Sequence, residues 1–139
     1  MGGVSRPYYN QLLKGVFGLF RQPSLEEQQR VLSEPFDPNV HEKTFMHYLE
    51  VIILPDGTVE YAVPSHVLKL TKIYGKSQDE MFEEYYNGSE YLDPVEWLCK
   101  KTGCISVWNN GYAGNPNPQQ LKTLQMLKDK KLYEGEIKT

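Results

Sequence analysis

The sequence is poor in metal-binding side chains: among its 139 residues are only two cysteines, Cys99 and Cys104, and three histidines. Two cysteines with no companion pair make no disulfide framework, and they fall short of the paired ligands of a structural zinc site. No metal or cofactor is therefore expected. No apolar run reaches the length that spans a bilayer. The first residues lack the basic patch, apolar run and small-residue cleavage site of a secretory signal. These absences point to a cytoplasmic protein with reduced thiols and no membrane association. Basic residues do not predominate either: 15 Lys and Arg stand against 18 Asp and Glu, a net charge of −3. General nucleic-acid binders are usually basic, so direct nucleic-acid binding is not expected. Phosphate loop, dinucleotide fingerprint, serine elbow and His-Glu-x-x-His motif are all missing. The chain is not expected to be an enzyme.

What is present first is a fold signal. Residues 45–54 form the densest apolar run, rich in β-branched and aromatic side chains. Pro55-Asp56-Gly57 supplies turn chemistry, and 58–63 alternates with Val59, Tyr61 and Val63 on one face. This predicts an antiparallel hairpin, 45–54 with 58–63, whose first strand is covered on both faces. Residues 104–108 (CISVW) predict a third strand. Helices are predicted around it by their caps: Ser24 with Glu27, Ser65, Ser77 with Glu80, Asp93-Pro94, and Asn117-Pro118 opening a helix over 119–132. Residues 34–41 read as a loop, and the polar tail past Tyr133 is expected to fray. The prediction is one α+β domain over 1–139, a small antiparallel sheet packed with four to six helices, with 1–40 as a possible helical arm. In that arm, 7–20 is amphipathic, with Tyr8, Leu12, Leu13, Val16 and Phe20 among its apolar positions. It can pack on its own sheet, on a second copy in a homodimer, or on a membrane surface, although Arg6, Lys14 and Arg21 are few cations for the last.

Three stretches could carry function. Between Ser77 and Trp97 there is no Lys or Arg, while acidic and aromatic residues interleave. Asp79, Glu80, Glu83, Glu84, Tyr86, Glu90 and Tyr91 are candidates for docking a basic or nucleic-acid-binding protein partner. The same residues also suit a solvated face with its aromatics turned inward. The loop 108–118, WNNGYAGNPNP, offers amides, rings and glycines, so Trp108, Asn109, Asn110 and Tyr112 are candidates for a small-molecule site. Asn and Gly equally suit a purely structural loop. Cys104 with His66 is the candidate pair for cysteine catalysis, if the fold brings them together. The leading expectation is a regulatory or inhibitory binding protein acting by protein–protein contact; the alternatives are a small-molecule sensor and a cysteine-dependent enzyme.

YAVPSH at 61–66 and WLCKKTGCISVWNN at 97–110 resemble small phage and prophage proteins of Gram-positive bacteria. The resemblance spans 45–132. It implies a mobile-element protein that binds a host or phage factor, and it brings no residue roles with it.

Overall fold

Caps and turns written into the chain position most of the secondary structure. The computed structural model describes residues 24–41, 48–88 and 92–138, and the chain divides into two units, 1–48 and 49–139. The 7–20 helix, and with it the dimer surface expected there, lies outside the described residues.

In the first unit, Ser24 caps α1 (Leu25–Ser33) by accepting a hydrogen bond from the Glu27 amide. The expected loop 34–41 instead holds a one-turn helix, α2 (Pro38–His41). Asp37 explains the difference: its carboxylate accepts from the Asn39 amide and its carbonyl from the Val40 and His41 amides. Followed by Pro38, it is a helix start. His41 is buried, with its ring 5.5 Å from that of Phe36.

The second unit contains a four-stranded antiparallel sheet of order β2-β1-β3-β4, formed by β1 (Val51–Ile53), β2 (Val59–Tyr61), β3 (Ile105–Val107) and β4 (Tyr112–Ala113). The α+β class is as expected. The hairpin is shorter than 45–54/58–63, however: among the described residues of that range only 51–53 and 59–61 are strand. All three β1 residues are fully buried, which fits a strand covered on both faces. Among the described residues of this unit, four helices accompany the sheet: α3 (His66–Tyr74), α4 (Gln78–Asn87), α5 (Pro94–Thr102) and α6 (Pro118–Asp129).

By the two-residue period of a strand, Ile52 and Ala113 share a face. Leu70 of α3, Met81 of α4, and Trp97, Leu98 and Cys99 of α5 pack with them into one apolar cluster. Complete burial of a Leu or Met side chain contributes about 1.5–3 kcal/mol, so this cluster holds the three helices to the sheet. At the turn end of the hairpin, α6 is fastened by hydrogen bonds. The buried Gln120 amide donates to Ile53 O (3.0 Å) and Gly103 O (2.8 Å), and Thr123 donates to Gly57 O (2.8 Å).

Two further expectations are corrected at the C-terminal end. Helix α6 stops at Asp129 rather than 132, because Lys131 adopts a left-handed φ of 62° and the Leu132 and Tyr133 amides both turn back to Leu127 O. Over 134–138 the tail expected to fray is instead hydrogen-bonded to the rest of this unit. The Glu134 amide donates to Asn109 O (2.7 Å), and Lys128 Nζ donates to Gly135 O. Gly135 is buried so closely against Asn110 that a Cβ there would lie 2.5 Å from Asn110 O, so only glycine permits this approach.

Candidate functional site

Asn109 and Asn110 form the turn that follows β3. The Trp108 amide donates to Gly111 O (2.8 Å), and the chain returns as β4, with Val107 opposite Tyr112. The stretch expected to be loop throughout thus contains an edge strand. Gly114 ends it at φ 103°, where a Cβ would meet Cys104 O at 3.0 Å and Cys99 Cβ at 3.1 Å. Both the left-handed backbone and the close approach require glycine. The loop therefore lies tight against α5 and β3.

This hairpin, the first turn of α5 and the returning tail enclose a cleft of about 580 Å³. Asn110, Gly111, Tyr112, Gly114, Asn115 and Pro116 form one side of the lining; Glu96 of α5 and Tyr133, Glu136 and Lys138 of the tail complete it. A volume of this order suits a small ligand. Tyr133 is 1% exposed, and burial raises its pKa above the ordinary tyrosine value. Its ring lies 6.4 Å from that of Tyr112, tilted by 51°. Both hydroxyls are occupied. Tyr112 Oη donates to Lys138 O (3.3 Å) and accepts from the Lys138 amide (3.0 Å), while Tyr133 Oη donates to Glu136 O (2.7 Å). Glu96, Glu136 and Lys138 enter none of the ion pairs among the described residues, which are Arg30–Glu34, Glu60–Lys69 and Lys76–Glu84.

The four loop candidates separate. Asn110 and Tyr112 line the cleft. Asn109 ties down the tail, donating from Nδ2 to Leu132 O (3.4 Å) as well as accepting from Glu134. Trp108 stacks on His66, with centroids 4.2 Å apart and planes at 28°. Sequence patterns did not point to Tyr133, Glu136 or Lys138, since a polar terminal segment gives no sign of folding back. Glu96 was visible only as one more acid of the 77–97 segment, and it links that segment to the loop.

The acidic face is partly self-satisfied. Ser77 and Glu80 form a reciprocal capping box, and the Ser77 backbone amide holds Glu80 below the usual carboxylate range. Glu84 accepts from Lys76 Nζ and Tyr74 Oη, both at 2.6 Å, and those bonds, Lys76 first, lower its pKa likewise. These partners offset the like-charge repulsion of Glu80 and Glu84 with their acidic neighbours on the helix. Asp79 and Glu83 are exposed, and Tyr86 is 74% exposed. Tyr85 and Trp97 turn inward, their rings 5.5 Å apart edge to face. Glu90 and Tyr91 lie outside the described residues.

Cys104 and His66 do not form a hydrogen-bonded pair. Neither ring nitrogen of His66 has a hydrogen-bond partner; Glu50 Oε1 lies 3.8 Å from Nε2. Burial lowers the His66 pKa to about 4, raises that of Cys104, and pushes Cys99 up to about 11. An activated thiolate requires the opposite shift. Among the described residues, no group of three or more His, Cys, Asp or Glu could hold a metal, and no helix is long and apolar enough to cross a membrane. Compared with protein families, curated proteins and solved structures, the chain matches none, and nothing there bears on the resemblance to phage proteins.

Proposed function

We propose that this protein is a small non-catalytic binding protein whose recognition site is the cleft between the β3–β4 hairpin and the C-terminal tail. The observation that supports this reading is the cleft itself. It is a concave site of ligand size beside an edge strand, lined by charged and amide side chains from α5, the loops and the tail, and one wall exists only because a polar tail is hydrogen-bonded into place. Its test uses Gly111, which lines the cleft and where an added Cβ meets nothing within 4 Å. Gly111→Trp is expected to fold normally and fill the cleft. In a thermal-shift panel of amino acids, amines, sugars and nucleotides, at least one compound should stabilise the wild type and not the variant. A ligand at a hundred times its Kd adds about 2.7 kcal/mol. Stabilisation that Gly111→Trp retains would place recognition elsewhere.

A second reading, docking of a basic protein partner on α4, rests on the exposed Tyr86 beside Asp79 and Glu83. Charge reversal belongs at Asp79 and Glu83, since Glu80 and Glu84 are engaged in α4's own cap and in the contacts to Lys76 and Tyr74. An affinity unchanged by Asp79→Lys with Glu83→Lys would remove this surface.

A further inference from the structure

Within the proposed recognition site, on which this inference rests, we infer that the cleft takes the ammonium or guanidinium group of a singly cationic ligand. The polar groups left for a ligand decide its chemistry. The two tyrosine hydroxyls are already bound to the tail backbone. The half-buried Tyr112 therefore offers a ligand mainly its ring, while Tyr133 is buried with Lys128 Nζ 5.8 Å from its ring centroid. The side-chain groups that remain are the carboxylates of Glu96 and Glu136, the amides of Asn110 and Asn115, and the ammonium of Lys138. Ionised carboxylates only accept hydrogen bonds, so a ligand that satisfies both must bring donors. An ammonium brings three and a guanidinium five, each strengthened by charge.

The half-buried Tyr112 ring favours the same choice, since π-faces attract cations. Lys138 sets the limit on charge. Two carboxylates and one ammonium leave a single net negative charge on the cleft side chains, which suits one cationic head and disfavours a polyamine. The head can belong to a free amine or to a Lys or Arg side chain of a peptide, which present the same group.

Isothermal titration of the whole chain distinguishes these sources. The probes are L-arginine, an end-blocked Gly-Arg-Gly peptide, glucose and citrate, each against wild type, Gly111→Trp, and Glu96→Gln with Glu136→Gln; both glutamates are exposed, so the double variant should fold. Arginine or the peptide should bind the wild type, at least about tenfold more weakly the double variant, and not Gly111→Trp. Tighter binding of free arginine identifies a small-molecule ligand, and tighter binding of the peptide a protein side chain. Absence of heat from both cationic probes overturns the inference. Glucose or citrate binding that Gly111→Trp abolishes also overturns it while leaving the cleft as the site. Cation binding that Gly111→Trp does not alter overturns both.

Discussion

His66 should make the protein acid-sensitive in a way that a single substitution removes. Its ring is 6% exposed, stacked on Trp108, with no hydrogen bond at either nitrogen. Burial therefore holds its pKa at about 4, against 6.5 for a free histidine. The folded state resists a proton that the unfolded chain accepts, so the neutral histidine's contribution is intact above pH 6.5 and is lost as pH falls toward 4. Proton linkage between those two values gives a loss of about 0.8 kcal/mol at pH 6, about 2 at pH 5 and about 3 at pH 4. His41 is held near pKa 4 by burial as well, so the total pH dependence contains both. Comparison with His66→Phe, which keeps an aromatic ring against Trp108, isolates the one residue. Urea unfolding followed by circular dichroism at pH 7, 6 and 5, at constant ionic strength, gives the two stability curves. The wild type should lose about 2 kcal/mol more than the variant between pH 7 and 5. Parallel curves would mean instead that His66 is solvated or paired in the folded protein.

Three further outcomes follow from the packing. Gly114→Ala should destabilise by about 2 kcal/mol in the same urea assay, since the added methyl meets Cys104 O and Cys99 Cβ at a left-handed φ. Gln120→Leu keeps the volume but strips Ile53 O and Gly103 O of their donor, and should likewise cost about 2 kcal/mol. The buried, protonated thiols of Cys99 and Cys104 should react with an aromatic disulfide reagent only after the chain is unfolded in guanidinium. Rapid native labelling of either would contradict the packing around β3.

Local chemistry made much of this fold legible. Ser65, Ser77, Asp93 and Asn117 cap the helices expected of them, because a side-chain oxygen before an apolar period has few other uses. The strands were legible in kind but not in length: β-branched runs continue past the residues that find a hydrogen-bonding neighbour, and pairing depends on the partner strand. Strand β4 escaped because two residues between glycines show no period, and the turn before it falls on Asn109-Asn110. Half of the cleft was legible for the same reason that the loop was: amides, rings and glycines announce a surface that can bind. The other half comes from Tyr133, Glu136 and Lys138, brought in by contacts to residues more than twenty positions away, and composition alone does not reveal such contacts.

The cleft as recognition site is tested most directly by backbone amide spectra of the ¹⁵N-labelled protein during titration with L-arginine. Saturable shifts should concentrate at Gly111, Gly114, Asn115 and Glu136, which line the cleft. No shift there, or shifts confined to Asp79, Glu83 and Tyr86 on α4, would contradict it.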